Sequence, residues 1–304
     1  MFPSSSKIRV AVLRGGPSHT YDDSMKTGAY VLSLLRELPE VYEPLDIFIS
    51  RAGEWHLGGL SHDAHKALSH ADVVWNALHG PYGEDGQVQR LLESLQIPFT
   101  GSGTMASAMA TNKTLSKELY RRHGLLTPAY SLVDEDSWND DQLISIFRTH
   151  LHPVIVKPAN GSGGLGVRLA HTFQELKDAI SSTFSHSKKV LVEELIKGIE
   201  VTCVVIEKVK GEELYVPLPT GSATPAQNKE IEEIAKKAHD ILGLRHYSGS
   251  DFIISPGGKI YILETNSLPV FHEESLMHRS LVETGWKHRD FADHCVKLAL
   301  GQVY

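Results

Sequence analysis

Cysteine is almost missing from this chain: Cys203 and Cys295 are the only two in 304 residues, and they form no CxxC pair. That excludes a disulfide framework and cysteine-rich metal sites, and it suits a reducing cytoplasm, where the protein is expected to reside. No apolar run approaches the length of a membrane span, and the one in "MFPSSSKIRVAVL" is too short for a signal peptide. No membrane partner is expected. Positive charge is in deficit, 30 Lys+Arg against 37 Asp+Glu for a net charge of −7, so a polyanion such as nucleic acid would be repelled overall. Internal repeats, low-complexity segments and the GxxxxGK[ST] pattern of a P-loop are all absent. Histidine is plentiful, at 17 residues, but poorly spaced for a metal. His62, His65 and His70 offer one i,i+3 pair without a carboxylate cage, which reads as a solvated helix face.

What is present is an ordinary globular composition, 41% hydrophobic and 22% charged, on a chain long enough for two or three domains. "KIRVAVL" (7–13), "LDIFIS" (45–50) and "ADVVWNAL" (71–78) read as strands, and "IPFTGSG" (97–103) ends a fourth. A helix is expected from about Ser24 to Leu38, and alternation of this kind indicates an α/β layer on a parallel sheet. Residues 104–124 read as one helix stopped by Gly124. "VIVKP", "VRLA", "VLVEEL" and "EVTCVVIEKV" then form a β-rich region with few helices. An amphipathic helix follows over 228–244, then the strands "SGSDFIIS" and "KIYILETN", joined as a hairpin at Pro256-Gly257-Gly258, and a helical region from about Glu274. The chain divides at 1–102, 103–191 and 192–304.

Four constellations carry chemistry. In "VIVKPANGSGGLGV" (154–167) a strand delivers Lys157 to a loop containing Gly161, Gly163, Gly164 and Gly166, whose nearly bare backbone can wrap an anion. Lys113, after Asn112, is a second candidate point charge for phosphate. On the hairpin, Glu264 and Asn266 share a face by two-residue spacing. With Asp251 they offer hard oxygen ligands suited to Mg²⁺, set among apolar neighbours where unpaired carboxylates are costly. In "LVEELIKGIE", Glu193 and Glu200 flank Leu195 and Ile196, whose backbone could pair with an adenine edge while a carboxylate takes ribose hydroxyls. Finally, "NALHGPYGEDGQVQ" sets His79, Glu84 and Asp85 among glycines at the C-terminal end of a strand, where open α/β sheets bind ligands.

With these residues in view, the chain resembles the D-alanine–D-alanine ligases of the ATP-grasp superfamily from about Lys7 to Leu300. The matching stretches are "HGPYGEDGQVQRLLESLQIPFTGSG", "NKTLSK", "VKPANGSGGLGV", "VEELIKGIEVT" and "DFII…YILETNSLP". The resemblance implies an ATP-grasp fold in three domains, with an N-terminal parallel α/β domain and ATP held between central and C-terminal α+β domains. Lys113 and Lys157, with the loop at Gly163 and Gly164, would hold phosphates. Glu193, Leu195, Ile196 and Glu200 would hold adenosine. Asp251, Glu264 and Asn266 would bind two Mg²⁺ ions, with Mn²⁺ an alternative. ATP would phosphorylate a substrate carboxylate, and the amine of a second small amino acid or short peptide would attack the acyl phosphate. His79 and the Ser275-Leu276 pair match the family's catalytic side, and a homodimer is compatible with the resemblance.

The amino-acid half departs from the pattern. Thr20 stands where the family has a glutamate that anchors the first D-alanine, although Asp22 and Asp23 are close. Gly249 replaces an arginine that stabilises the transition state, Val270 replaces an oxyanion-hole glycine, and Gly163 falls where the family has a loop serine. "VPLPTGSATPAQ" is shorter than the family's active-site loop and lacks its tyrosine and lysine. Two readings follow: a carboxylate–amine ligase with a rebuilt amino-acid site, or a regulatory ATP-binding protein that has lost that site. D-alanine is expected to be a poor substrate.

Overall fold

The computed structural model describes residues 7–303; Met1–Ser6, where the segment weighed as a leader begins, and Tyr304 lie outside them. β1 (Ile8–Gly15) buries the aliphatic run Val10–Leu13 completely, as a strand covered on both faces requires. α1 (Tyr21–Arg36), β2 (Tyr42–Ile49), β3 (Trp55–Leu57), β4 (Leu60–His62), α2 (Ala64–Leu68), β5 (Val73–Asn76) and α3 (Gln87–Ser94) follow. The sheet runs β4-β3-β2-β1-β5. It is parallel over β1, β2 and β5, but the β3–β4 hairpin, which the sequence did not announce, adds an antiparallel edge. "IPFTGSG" contributes only a bridge between Phe99 and Val74, since Pro98 has no N–H to give and Gly101 turns away at φ +87°. His62, His65 and His70 fall on β4, on α2 and beyond α2, and they share no helix face.

The single helix expected over 104–124 is two helices, α4 (Thr104–Thr111) and α5 (Lys113–Arg122). Asn112 breaks them: its backbone is extended, and its Oδ1 accepts from the N–H groups of Thr114 and Leu115, both at 3.1 Å. This cap sets Lys113 at the first position of α5. β6 (Tyr130–Asp134), α6 (Asp140–Thr149), β7 (Val154–Pro158), β8 (Arg168–Ala170), α7 (Phe173–Thr183) and β9 (Lys189–Glu194) then build an antiparallel sheet ordered β6-β9-β7-β8. Its core, with Val133, Leu143, Val156 and Ile180, is formed with α6 and α7.

The third unit comprises β10 (Ile199–Val209), β11 (Glu212–Tyr215), α8 (Pro225–Ile241), β12 (Tyr247–Ile254), β13 (Ile260–Asn266), α9 (Leu276–Glu283) and α10 (His288–Ala299). Its sheet is antiparallel, ordered β11-β10-β12-β13. α8 starts at Pro225 rather than Asn228 because Thr224 and Gln227 close a capping box ahead of it.

Packing redraws the expected divisions. α4 and α5 contribute Ala106, Ala110 and Tyr120 to a core shared with β10, β12 and β13, although the cut at 102/103 assigned them to the middle unit. The cut at 191/192 runs through β9. A further core joins the N-terminal sheet to the last one: Val10, Val12 and Trp75 meet Val204, Tyr247 and Phe271 through Phe291 of α10. Phe291 is fully buried, with ring centroids 4.9 Å from Phe271, 5.6 Å from Tyr247 and 6.3 Å from Trp75. Phe291→Ala should therefore cost about 3–5 kcal/mol of stability. A matching drop in the urea midpoint checks this, and an unchanged midpoint would mean that α10 is not a joint between the sheets.

Candidate active site

A cleft of about 800 Å³ opens between the β6–β9 sheet and the β10–β13 sheet. Lys113, Lys157, Gly164, Glu193, Leu195, Ile196, Glu200, Asp251 and Glu264 all line it. Residues scattered from 113 to 264 in the chain thus converge on one space. Apolar walls of Ile155, Phe252, Ile253 and Leu263 lie among them, which suits a ligand with a flat apolar part and a charged tail.

The β12–β13 register explains the acidic end. Asp251 pairs directly with Glu264, and Asn266 with Gly249, so three oxygen-bearing side chains gather on two neighbouring strands. A bulge follows Asp251. Thr202 of β10, opposite Asp251, donates to Asp251 Oδ1 at 2.6 Å, and Asn266 Nδ2 lies 3.5 Å from Asp251 Oδ2. Burial, then repulsion from Glu264, pushes the Asp251 carboxyl up to about 6 despite the Thr202 hydrogen bond. Burial also opposes the charge on Glu264, but Lys113 and Lys157 outweigh it and hold that carboxylate below its usual range. Two facing carboxylates at odds with each other, on an all-oxygen donor set, fit a hard divalent cation. Among the described residues no group of three His, Cys, Asp or Glu side chains is placed to hold a metal, so the amide of Asn266 is needed to complete the set.

The basic side is equally ordered. Lys113 Nζ meets Glu264 Oε2 at 3.0 Å and also donates to the carbonyl of Gly161 in the glycine-rich loop. Lys157 Nζ lies 2.9 Å from Glu193 Oε2. Lys117 meets the same oxygen, its Nζ 3.0 Å from Oε2, and donates to Thr127 Oγ1 at 2.7 Å. Lys117 is wholly buried, and burial pushes its ammonium down to about 8 against the pull of Glu193. Sequence reasoning passed over Lys117 and Thr202, whose partners lie 76 and 49 residues away along the chain. Glu193, read as a nucleoside contact, is 3% exposed and engaged by both lysines, whereas Glu200 is exposed on the cleft wall. Gly198 is needed below it, since a Cβ there would come within 2.0 Å of the Ile254 carbonyl oxygen.

The residues expected on the amino-acid side are arranged differently. His79 is 2% exposed and does not line the cleft: its Nδ1 faces Glu84 Oε1 at 3.2 Å and its Nε2 faces Thr27 Oγ1 at 2.9 Å. The Ser275 hydroxyl caps α9, accepting from the His278 N–H at 3.2 Å, and it is the neighbouring Leu276 that reaches the cleft. Gly163 sits at φ +73°, with Thr20 Cγ2 3.0 Å from where its Cβ would be, so a serine there would be strained and crowded. A Cβ on Gly249 would lie 3.1 Å from Pro269 Cβ.

With this geometry in place, comparison with known proteins is decisive. A family model described as "D-ala D-ala ligase C-terminus" matches residues 119–217 and 210–297, and one described as "D-ala D-ala ligase N-terminus" matches residues 58–102. D-alanine–D-alanine ligase B of Chromobacterium violaceum is 34% identical over 95% of this chain and 96% of its own length. The chain belongs to the D-alanine–D-alanine ligase family. It is an ATP-dependent carbon–nitrogen ligase, and that reading stands over a non-catalytic nucleotide binder. Another member, the ligase of Syntrophobacter fumaroxidans, is 33% identical over 98% of this chain and 99% of its own. In fold, the D-alanine–D-alanine ligase of Coxiella burnetii superposes with a TM-score of 0.87 at 22% identity, covering 97% of this chain and 94% of that one. The expected ATP-grasp fold is thereby established. No helix among the described residues is long and apolar enough to cross a membrane.

The strain at Asp251 yields a stability prediction. The folded protein keeps a proton up to pH about 6, whereas the unfolded chain releases it near pH about 4, so this group makes stability fall as pH rises across that window. Without metal, Asp251→Asn should therefore melt higher than the parent at pH 8, and the gap should shrink as pH drops through 6. Melting curves at pH 5 and pH 8 in EDTA check it; equal melting temperatures at pH 8 would contradict it.

Proposed function

We propose that this ligase joins two small amino acids, or an amino acid and a short peptide, in the cleft described above, and that it works in the cytoplasm. The observation that carries the proposal is the meeting of two lysines and a glycine-rich loop with Asp251 and Glu264 in one half-apolar cleft, with Asn266 bordering the small space beside it. In this reading the adenine base lies against the backbone at Leu195–Ile196, Glu200 takes the ribose, and Lys113 and Lys157 take phosphate oxygens. Glu193 acts from behind by orienting Lys157. Asp251, Glu264 and Asn266 hold Mg²⁺, two ions on the family pattern, with Mn²⁺ as an alternative. When bound, the metal neutralises phosphate charge as the phosphoryl group moves. The γ-phosphoryl group passes to an oxygen of the donor carboxylate and ADP leaves. The second substrate's amine then attacks the acyl carbon, phosphate departs and the nitrogen loses a proton.

The substrates are proposed to differ from a D-alanine pair. Thr20 supplies no charge for an ammonium group and Gly249 none for an oxyanion, and Pro269 crowds the space a side chain at 249 would need. D-alanine alone should thus give turnover well below the ordinary enzymatic range of ~1–10³ s⁻¹. Phosphate release with D-alanine, against a panel of D- and L-amino acids, is the test. Dipeptide formation from D-alanine at ordinary rates would mean that other residues have taken over these roles.

Glu264→Gln separates binding from chemistry. It keeps the shape and the adenosine contacts but removes a metal oxygen and a charge, so nucleotide affinity should fall modestly. Turnover should fall by orders of magnitude, because the metal's largest contribution comes at the transition state. Parallel Mg²⁺ titrations of nucleotide binding and phosphate release distinguish the two, and parental turnover in Glu264→Gln would locate the metal elsewhere.

A further inference from the structure

The glycine-rich loop does not end its contacts at the cleft. Ser162 Oγ donates to Glu84 Oε2 at 2.7 Å, across 78 residues of chain, and its carbonyl accepts from His19 Nε2 at 3.1 Å. Both partners belong to loops of the N-terminal unit. Glu84 is 6% exposed, and its backbone carbonyl is itself held by Thr111 Oγ1 at 2.7 Å. Behind Glu84 the hydrogen bonds continue inward. An ionised carboxylate only accepts, so His79 Nδ1 carries the proton shared with Oε1. In the neutral ring Nε2 is then an acceptor, and Thr27 Oγ1 donates to it at 2.9 Å. Thr27 Oγ1 in turn lies 3.4 Å from the Phe271 N–H it accepts. Thr27 and His79 are each 2% exposed, so bulk solvent does not reach this path. It leads from the phosphate loop to the segment that follows Asn266, on the amino-acid side.

We propose that Ser162 and Glu84 form a latch closing the glycine-rich loop over bound nucleotide, and that His79 and Thr27 transmit its state to residues 268–271. The latch rests on the nucleotide reading of the cleft. Its position supports the role: Glu84 and Ser162 border a small space shared with Lys113, Glu264 and Asn266, beside the phosphate and metal groups. Ser162 can serve only because Gly161, Gly163 and Gly164 around it take φ of +110°, +73° and +70°, turning the hydroxyl toward the N-terminal unit and letting the backbone pass Thr20. Ser162, Glu84, His79 and Thr27 are positioning residues, acting through the loop rather than on the reacting atoms.

The test is amide hydrogen exchange with and without Mg-ATP, alongside the dissociation constant for Mg-ATP. In the parent, nucleotide should slow exchange at 161–166 and also at 268–271. Ser162→Ala, a partly exposed loop change that leaves the fold alone, should weaken Mg-ATP about tenfold, the worth of a hydrogen bond to a charged group. It should also abolish the nucleotide-dependent protection at 268–271. Ser162→Thr, which keeps the hydroxyl, should restore both. Thr27→Val should keep protection at 161–166 while losing it at 268–271. Ser162→Ala with parental affinity and parental protection at 268–271 would overturn the latch. No binding of Mg-ATP by the parent would instead overturn the nucleotide reading beneath it.

Discussion

Charge compensation in a half-buried cleft is the constraint on which this molecule depends. Glu193 is held between two lysines, one of them wholly buried, and Glu264 is held by a third. None of these groups could be buried alone, since an unpaired charge in such surroundings costs several kcal/mol. One pair spans units that have separate cores: Lys117 rides on α5, packed with the β10–β13 sheet, while Glu193 comes from the β6–β9 sheet. Lys113–Glu264 and Lys157–Glu193 each stay on one side of that seam, and together the pairs preset the lysines that a polyphosphate would meet. Asp251 is the unbalanced member, since burial and Glu264 beside it outweigh the pull of Lys113.

Much of the fold could be read from sequence wherever one periodicity dominated. β1 and the β12–β13 hairpin emerged because short apolar runs, Val10–Leu13, Phe252–Ile254 and Ile260–Leu263, lie close to glycine or Pro-Gly-Gly. The elements that escaped had mixed patterns but clear end signals. α6 begins at Asn139, whose side chain accepts from the Gln142 N–H, and α7 at Thr172, with Glu175 reaching back to His171 N. Both are cap pairs that could have announced their helices. The break at Asn112 was concealed by helix formers on either side of it, and only its cap hydrogen bonds reveal the second start.

For the site, residues whose placement follows from their own type and local spacing were legible: the glycine loop, Lys157, and the Glu264–Asn266 pair on the strand beside Asp251. Residues whose role depends on a distant partner were not. Lys117 carries no local signal and is wholly buried; Thr202 is an unremarked strand residue until the register sets it against Asp251. His79 was singled out in sequence, but nothing local indicates that both its ring nitrogens are engaged, by Glu84 and Thr27, away from the cleft lining.

The shared core at Phe291 divides the walls of the cleft unequally. The N-terminal sheet and the β10–β13 sheet bury their facing residues in one apolar cluster, whereas the β6–β9 sheet keeps a cluster of its own drawn from residues 133–192. One wall of the cleft is thus anchored through two sheets at once, and the other answers to a single sheet, joined across the cleft by the polar contact of Lys117 with Glu193.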